Sequence, residues 1–313
     1  MPPPHHDLIV IGGGPAGLTA GLYAARARLD TVLVERFAPG GQVLNTDWVE
    51  NYPGFPEGIS GFELIDKMKA QVDRFELPTL SAEVQEISPP PDAEGLFTVR
   101  LDKESLTAKA IVICTGAEPR RLGVEGEADL TGRGVSYCGT CDGPFFRDQV
   151  VAAVGGGDTA CQEALFLTRF AKEVILLHRR DELRAQKILR ERVMANEKIR
   201  LLWDTVAEKI EGEDKVEGIG VRNVKTGEKK HLAVDGIFIF VGIKPNTGFL
   251  AGLVEQDKTG FIITNTEMAT SQPGLFAAGD CRAKALRQIA NAVGDGATAL
   301  FSAESHIESM NHA

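Results

Sequence analysis

The residues best suited to chemistry in this sequence are Cys138 and Cys141, which stand at C-x-x-C spacing and are followed directly by Asp142. Such a pair can close as a disulfide or open to a dithiol within one turn of backbone, and its thiolate is favoured well below the free-thiol pKa of about 8.5. Each transfer by a dithiol leaves a thiolate to be protonated, and Asp142 could donate or accept that proton. We predict a redox-active pair with Asp142 as its acid.

A structural pair, or half of a zinc site, is the alternative interpretation of these cysteines. A zinc site would need two more cysteine or histidine ligands at similar spacing. None lies near the pair in the sequence. We therefore predict no metal site here.

Length, composition and charge narrow the class of protein. The 313 residues are enough for two domains, and 43% hydrophobic with 25% charged residues is typical of a soluble globular protein. A net charge of −10 argues against nucleic acid and anionic membranes as partners, since both favour basic surfaces. No apolar run approaches the roughly 18 residues of a membrane span, and Met1–His6 lacks the features of a signal peptide. Five cysteines, scattered except for the one pair, suggest a reducing compartment, so we expect a cytoplasmic protein.

The elements that position this chemistry begin with a βαβ unit. A strand at Asp7–Ile11 leads into the G-x-G-x-x-G turn Gly12–Gly17, a helix over Leu18–Arg28 and a second strand at Thr31–Glu35. The glycines allow the backbone to approach a pyrophosphate and the helix to pack on the strand. This context predicts a dinucleotide-binding unit.

The same pattern begins again after the C-x-x-C pair. A strand at Gln149–Val154 precedes the turn Gly155–Ala160, which is followed by a helix over Cys161–Phe170 and a strand at Glu173–Leu177. Ala160 replaces the third glycine, which is a permitted variant. The internal repeat predicts a second dinucleotide-binding unit.

The two units differ at the position that contacts the ribose. Glu35 ends the second strand of the first unit, where a carboxylate suits a free 2′-hydroxyl. In the second unit that position is His178, followed by Arg179 and Arg180 and by Arg184 one turn later. Arginines suit a 2′-phosphate, so the pattern favours FAD in the first unit and NADPH in the second. The alternative is a solvated, basic start of a helix.

Further elements fill the first domain. Ser60-Gly-Phe-Glu63 has the pattern of a capping box that opens a helix running to about Glu76. Runs at Thr79–Ile87 and Leu96–Leu101, separated by Pro89–Pro91, predict an antiparallel flap. Ala110–Cys114 predicts a buried strand, in which Cys114 is a small core residue.

The C-terminal part predicts a return to the first domain. Val216–Val224 and Lys229–Val234 predict a hairpin, and Asp235–Val241 predicts a buried strand. A short apolar strand then delivers Gly279-Asp280, where an acid could hold the ribityl or pyrophosphate region of a flavin. A helix follows over Ala290–Ile307. The predicted fold class is α/β, with two Rossmann-like three-layer dinucleotide-binding domains, the NADPH domain inserted into the FAD domain.

The motifs taken together closely resemble those of the bacterial low-molecular-weight thioredoxin reductases. They cover nearly the whole chain: Gly12–Gly17, Gly40–Gln42, Glu50–Gly54, Cys138–Asp142, Gly155–Ala160, His178–Arg184, Gly242–Asn246, Gly279–Asp280 and Arg287–Ile289. The resemblance implies an FAD domain formed by residues 1–117 and 245–313, with an NADPH domain at residues 118–244 that carries the C-x-x-C pair. It also implies a homodimer with one non-covalent FAD per subunit and thioredoxin as the protein substrate.

The resemblance also assigns cofactor contacts. FAD binding falls to Gly12, Gly14, Pro15, Ala16, Gly17, Glu35, Arg36, Gly41, Gln42, Thr46, Asn51, Val84, Thr115, Gly116, Gly279, Asp280, Arg287, Gln288 and Ile289. NADPH binding falls to Gly155, Gly157, Asp158, Thr159, His178, Arg179, Arg180 and Arg184. Asp142 becomes the acid that protonates the dithiol or its leaving thiolate.

The sequence departs from the family pattern in four places. Gly139 stands where alanine is usual, and Cys161-Gln162 replaces a common Val-Glu. Asp158 places a carboxylate close to a phosphate turn, where Asn or Ser is also common. Cys281 replaces an aliphatic residue, and we interpret it as a packing residue.

The expected reaction carries electrons from NADPH through FAD and the cysteine pair to a protein disulfide. Because the pair must meet both the flavin and a bulky substrate, we hypothesise that the inserted domain swings on the crossings at Ala117–Arg121 and Gly242–Asn246. One alternative is a related flavoenzyme with another electron donor or acceptor, such as a ferredoxin-linked reductase or a dithiol oxidase. The other is a non-catalytic redox sensor that binds FAD and a partner protein.

Overall fold

The computed structural model describes residues 3–46, 48–91, 95–250 and 252–312. The chain divides into two compact units: unit 1 comprises Met1–Glu118 and Lys244–Ala313, and unit 2 comprises Pro119–Ile243. Unit 2 is therefore inserted into unit 1. The predicted boundaries, 117/118 and 244/245, each lie one residue away, and which nucleotide each unit binds stays a prediction.

The described residues form both strands and α-helices. The strands are β1 (His5–Ile11), β2 (Thr31–Glu35), β3 (Thr79–Ser81), β4 (Val84–Ser88), β5 (Phe97–Leu101), β6 (Ser105–Ile113), β7 (Ala117–Pro119), β8 (Val135–Ser136), β9 (Val150–Gly155), β10 (Glu173–Leu177), β11 (Ile199–Leu202), β12 (Thr205–Glu211), β13 (Gly218–Asn223), β14 (Lys229–Ala233), β15 (Gly236–Phe240), β16 (Ile243–Pro245) and β17 (Leu275–Ala277). The helices are α1 (Pro15–Arg26), α2 (Gly61–Asp73), α3 (Gly139–Asp142), α4 (Asp158–Leu167), α5 (Lys187–Met194) and α6 (Ile289–Asn311).

Unit 1 is built on a seven-stranded sheet in the order β3-β2-β1-β6-β5-β4, with β17 also paired to β6. The strand β6 has two partners along one side. Its first part, Ser105–Ala108, pairs antiparallel with β5, and its last part, Ile111–Ile113, pairs parallel with β17. Parallel pairing brings the carboxyl ends of β1, β2, β6 and β17 to one edge of the sheet, where open α/β sheets bind ligands.

Both faces of this sheet are buried, which explains the continuous apolar runs in the sequence. In β1, Leu8 and Val10 belong to a core shared with α1 and α6, whereas Ile9 and Ile11 belong to the core on the opposite face. The helices α1 and α6 cross in backbone contact, because a Cβ on Gly296 would overlap the Ala16 carbonyl oxygen. The α2 capping box is confirmed by the Ser60 Oγ, which accepts the Glu63 N–H at 3.1 Å.

The predicted antiparallel flap over Thr79–Ile87 and Leu96–Leu101 is wrong in its first half. Thr79–Ser81 pairs parallel with β2, and only Val84–Ser88 pairs antiparallel with β5. Apolar residues alternate through Leu80, Ala82 and Val84, so the pattern does not mark the point at which the chain changes partner.

Unit 2 contains a five-stranded parallel sheet in the order β11-β10-β9-β15-β8. Val151 and Ala153 of β9 face a core shared with α4, and Ala152 and Val154 face a second core. That second core is shared with the antiparallel sheet β12-β13-β14, of which β13 and β14 confirm the predicted hairpin. The strand β12 was not predicted, because a bulge between Ala207 and Lys209 breaks its alternation.

The chain passes between the units twice. The crossing strands β7 and β16 pair as a two-stranded sheet. Within the described part of the chain, none of the helices combines the length and the apolar character that crossing a bilayer requires.

Candidate active site

Cys138 and Cys141 are joined as a disulfide, with their Cα atoms 5.3 Å apart. Cys138 caps α3, and its Sγ accepts the backbone N–H of Cys141 at 3.2 Å. Ser136 ends β8 and holds the entry to the turn: its Oγ accepts the Cys138 N–H at 3.0 Å and donates to the Cys138 carbonyl oxygen at 3.2 Å. The pair therefore stands on a helical turn directly after a parallel strand.

Asp142 is the last residue of α3 and is partly buried. Its backbone N–H donates to the Cys138 carbonyl oxygen at 3.2 Å. The turn thus carries both sulfurs and the carboxyl group, as the C-x-x-C-D spacing predicts. The role of Asp142 as the acid stays a prediction.

Glu127 is a buried acid near this turn that the sequence did not reveal. Its carboxylate accepts the backbone N–H groups of Leu122 at 2.9 Å and Gly123 at 2.7 Å, and the Tyr137 hydroxyl at 2.8 Å. Burial and this carboxylate raise the pKa of Tyr137 to about 12. Glu127 therefore fixes the residue that precedes Cys138.

The first glycine-rich turn forms an open cradle at the end of β1. Gly12 has a φ of +103°, which favours glycine, and a Cβ there would lie 2.5 Å from the Cys114 carbonyl oxygen. A Cβ on Gly17 would overlap the Gly12 carbonyl oxygen, so α1 begins against the turn itself. Beside Gly14, in contrast, nothing lies within 4 Å of a Cβ position. The backbone here is accessible to a diphosphate.

Glu35 ends β2 beside this cradle. Its Oε2 accepts the Gly13 N–H at 2.6 Å, and its Oε1 accepts the Phe37 N–H at 2.9 Å. Each carboxylate oxygen has two lone pairs, so both oxygens retain capacity for a ribose hydroxyl. Two backbone donors therefore orient the acid that the sequence assigned to the ribose.

The other predicted FAD residues lie on segments of unit 1 that the structure describes. Pro15 and Ala16 open α1, Arg36 follows β2, Gly41 and Gln42 begin a 3-10 helix, Thr46 follows that helix, Val84 begins β4, Thr115 and Gly116 follow β6, Gly279 and Asp280 follow β17, and Ile289 begins α6. Asn51 and Gln288 are brought together, because the Asn51 Nδ2 donates to the Gln288 Oε1 at 2.9 Å. Four of these segments follow the carboxyl ends of the parallel strands β1, β2, β6 and β17.

Asp280 carries an acceptor that lacks a hydrogen-bond donor. Its Oδ1 is buried and makes no hydrogen bond within the described residues, and Lys284 Nζ is 3.6 Å from it. Burial raises the pKa of Asp280, against the opposing effect of the Lys284 and Arg287 cations. A buried acceptor of this kind fits a ligand that brings hydroxyl donors, such as a ribityl chain.

Asp295 braces the loop that carries Asp280, and the sequence did not single it out. Its Oδ2 accepts the Gly279 N–H at 3.1 Å and pairs with Arg282 at 2.8 Å and with Lys284 at 2.9 Å. Arg287 packs over the Phe261 ring at 4.1 Å, and its guanidinium donates to carbonyl oxygens of the same loop. An acid in a small-residue helix gives no sequence signal, because its partners lie on a distant loop.

The second glycine-rich turn ends β9 in unit 2. Gly155 has a φ of +156°, and a Cβ there would lie 2.6 Å from both the Phe240 carbonyl oxygen and the Ala160 Cβ. Beside Gly157 nothing lies within 4 Å, and Thr159 is exposed at the start of α4. Asp158 is engaged within its own unit: its Oδ1 accepts the Gln186 N–H at 2.7 Å.

His178 and the arginines occupy different places. The His178 ring is 4% exposed and packs against Gly156, and its Nε2 makes no hydrogen bond within the described residues. Burial lowers the pKa of His178, with a smaller effect of Arg184 and Arg180 in the same direction. The ring therefore lies under the turn rather than on the surface.

Arginine side chains line an open cavity of about 440 Å³ next to this turn. Its walls include Arg180, Arg184 and the unpredicted Arg190, together with the acidic residues Asp181 and Glu182. Arg190 pairs with Glu182, and the Arg184 backbone N–H donates to the Gly156 carbonyl oxygen at 2.7 Å. Arg179 is exposed but does not line the cavity. Arg180 and Arg184 are the cations of this cavity that suit a phosphate, because Arg190 is already paired with Glu182.

The chain matches a known family over most of its length. Residues 6–296 match the family described as pyridine nucleotide-disulphide oxidoreductase. Over 307 residues the chain is 46% identical to a thioredoxin reductase of Treponema pallidum, which covers 98% of this chain and 99% of that protein. The chain belongs to the thioredoxin reductases of this family. A thioredoxin reductase of Bacillus subtilis is 43% identical and covers 97% of the chain.

A solved thioredoxin reductase structure agrees with the fold. The crystal structure of thioredoxin reductase from Streptococcus pyogenes has a TM-score of 0.93 and 49% identity, and it covers 97% of this chain and 99% of that chain. The predicted fold class and the family resemblance are confirmed.

The departures from the thioredoxin reductase pattern have simple structural surroundings. Cys161 and Cys281 are fully buried, and burial raises the pKa of each thiol to about 11. Burial also raises the pKa of the Cys114 thiol. The three therefore act as packing residues. Gln162 is exposed on α4, and no contact in the structure explains it.

Proposed function

We propose that this protein is an NADPH-dependent thioredoxin-disulfide reductase that uses FAD and the Cys138–Cys141 pair. The observation that carries the proposal is the closed pair on a helical turn with Asp142, in a chain that repeats a dinucleotide-type turn in each unit. The names of the relatives, which match almost the full chain, support thioredoxin as the substrate.

Unit 1 offers the groups that FAD requires. The open backbone at Gly14 suits a diphosphate, Glu35 suits a ribose, and the buried Oδ1 of Asp280 suits a hydroxyl of the ribityl chain. When bound, FAD supplies the two-electron chemistry between nicotinamide and disulfide. The protein supplies binding groups and their orientation.

Unit 2 offers the groups that NADPH requires. The Gly157 turn suits the diphosphate, and the cavity with Arg180 and Arg184 suits the 2′-phosphate. Arg190 lines the same cavity, so we add it to the predicted set. His178 would act from beneath the turn, as a support for the backbone at Gly156.

The reduced pair would transfer its electrons by thiol–disulfide exchange. A thiolate of the pair attacks one sulfur of the thioredoxin disulfide, and a mixed disulfide forms as the other thioredoxin sulfur leaves as a thiolate. The second cysteine then attacks the mixed disulfide, which re-forms the Cys138–Cys141 bond and releases dithiol thioredoxin. Asp142 holds the proton that the leaving thiolate takes up.

Assembly and location follow from the family resemblance. We propose a homodimer with one FAD per subunit, which acts in the cytoplasm. Sedimentation of the purified protein checks the dimer: a monomer at micromolar concentration would contradict it.

Turnover tests the proposed function. NADPH consumption should depend on added oxidised thioredoxin, and both Cys138→Ser and Cys141→Ser should abolish that dependence. Cys161→Ala removes a buried thiol of the same unit and is the matched control. If NADPH reduces the flavin but a panel of disulfide proteins including thioredoxin gives no turnover, the substrate assignment is wrong. If molecular oxygen can replace thioredoxin as the electron acceptor, a dithiol oxidase is indicated. If ferredoxin can replace NADPH as the electron donor, a ferredoxin-linked reductase is indicated.

A further inference from the structure

Glu163, on α4, is a carboxylic acid beside the redox pair that the proposed function does not use. Its Oε2 is buried and makes no hydrogen bond within the described residues. A Cβ on Gly139, which lies between the two cysteines, would overlap this oxygen. Glu163 therefore occupies the space left by the absent side chain of residue 139.

The side chain of Glu163 places a carboxyl group against the redox turn. Burial raises the pKa of Glu163, while the backbone N–H groups of Gly139 and Thr140 favour its ionised form. Asp142 lies on α3 in the same turn, and Arg190 on α5 pairs with Glu182. No cation in the described part of the chain forms an ion pair with Glu163.

We propose that Glu163 is a positioning residue that limits thiolate formation in the reduced Cys138–Cys141 pair, by packing its carboxylate against Gly139 and by like-charge repulsion. The inference rests on the proposed redox role of the pair.

Reduction with dithiothreitol breaks the S–S bond and oxidises the reagent to its cyclic disulfide. The protein gains two electrons and two protons. Loss of one proton from the dithiol then leaves a thiolate beside the carboxylate.

Removal of the charge has a predictable effect on reactivity. Glu163→Gln keeps the shape of the side chain and removes the charge, so a thiolate forms at lower pH. For each unit by which the thiol pKa falls, the thiolate fraction at neutral pH rises about tenfold. The nucleophilicity of a thiolate also falls as the pKa of its thiol falls, with a Brønsted coefficient of about 0.4–0.5. For each unit by which the thiol pKa falls, the alkylation rate at neutral pH therefore rises by only about threefold. At a pH above the thiol pKa values of both the parent and the variant, the same coefficient makes alkylation of the variant slower by about threefold.

Alkylation of the reduced protein tests this. The full chain is reduced with dithiothreitol, freed of the reagent and alkylated with iodoacetamide from pH 6 to 10, and mass spectrometry follows Cys138 and Cys141 separately. Glu163→Gln should be faster than the parent at neutral pH and slower at high pH, at one cysteine or both. Glu191→Gln removes an exposed carboxylate of the same unit and should leave both rates unchanged. A purely structural role of Glu163 would not produce rates that cross.

Gly139→Ala provides an independent variant. Its Cβ must displace the Glu163 carboxylate, which is the flexible end of a side chain. Gly139→Ala should therefore shift the alkylation profile in the same direction as Glu163→Gln, and it should add little when Glu163 is already glutamine. Additive effects would contradict the coupling.

The outcomes separate this inference from the proposed function. If dithiothreitol does not reduce the Cys138–Cys141 bond in the parent, the proposed function itself fails. If the parent is reduced normally and the profiles of parent and Glu163→Gln coincide, only the role of Glu163 is refuted.

Discussion

The arginine cavity predicts which single residues set the choice of nicotinamide cofactor. Arg180 and Arg184 line this cavity, where they would bind the 2′-phosphate of NADPH. NADH lacks that phosphate. Hydrogen bonds to charged groups contribute about 1.5–3 kcal/mol each. We therefore expect Arg180→Ala combined with Arg184→Ala to reduce the preference of kcat/KM for NADPH over NADH by about 100-fold or more.

Two controls sharpen this prediction. Arg192→Ala removes an exposed arginine from the last turn of α5 and should leave the preference unchanged. Arg179→Ala should have a smaller effect than the double variant, because Arg179 does not line the cavity. A double variant with the parent preference would remove the phosphate role from these arginines.

His306 predicts a pH-dependent stability. Burial against Phe276 lowers its pKa below the usual 6.5, so the folded protein holds it neutral. As pH falls, His306 binds a proton in the unfolded chain at a higher pH than in the folded protein. The stabilisation by this residue is therefore present above pH 6.5 and is lost as pH falls toward the lowered pKa. The difference in unfolding free energy between pH 7.5 and 5.5, measured in urea, should shrink in His306→Gln and not in the exposed control His5→Gln. An unchanged difference in His306→Gln would contradict this.

The positions of several candidate site residues were predictable from the sequence, and others were not. C-x-x-C-D spacing and the two glycine turns identify their sites because each local geometry needs residues that are close in sequence. Arg190 and Asp295 act on groups that the fold brings together, so no local pattern marks them. Donors to Glu127 lie 4 to 10 residues away in sequence, but they form no recognised motif. The burial of His178 was also not evident, since its ring turns under the backbone.

The crossing of α1 and α6 is the element contact that supports the first glycine-rich turn. Gly296→Val would place side-chain atoms against the Ala16 backbone, so we expect a loss of about 3 kcal/mol in the free energy of unfolding, with weakened FAD retention. Gly294→Ala, on the same helix with nothing within 4 Å, should be neutral or stabilising by about 0.5–1 kcal/mol. Equal stability of the two variants in urea unfolding would show that the helices do not pack this closely.

Elements were predicted best where one periodicity covers the whole segment. The repeated βαβ pattern and the Ser60 cap follow from local sequence. The change of partner within Thr79–Ile87 depends on β2, and the bulge in β12 hides its alternation. Both errors arise because strand pairing is decided by distant segments.

At the scale of the whole molecule, the two crossings raise the hypothesis of a swinging inserted unit. Because one cysteine pair must serve both flavin and thioredoxin, a bifunctional lysine reagent that links unit 1 to unit 2 should abolish turnover with thioredoxin. The cross-link should spare one half-reaction of the catalytic cycle, which is followed in the absence of oxygen. A monofunctional reagent of the same chemistry modifies the lysines without linking them and is the control. Full turnover by the isolated cross-linked protein would refute the hinge.

The most direct test of the account is an anaerobic titration of the purified protein, followed by its flavin absorbance. NADPH should bleach a yellow protein at low equivalents, NADH should do so poorly, and oxidised thioredoxin should then restore the colour. In the Cys138→Ser and Cys141→Ser variants, NADPH should still bleach the flavin, but thioredoxin should not restore it. A colourless protein, or a yellow one that keeps its colour with NADPH, would contradict the account.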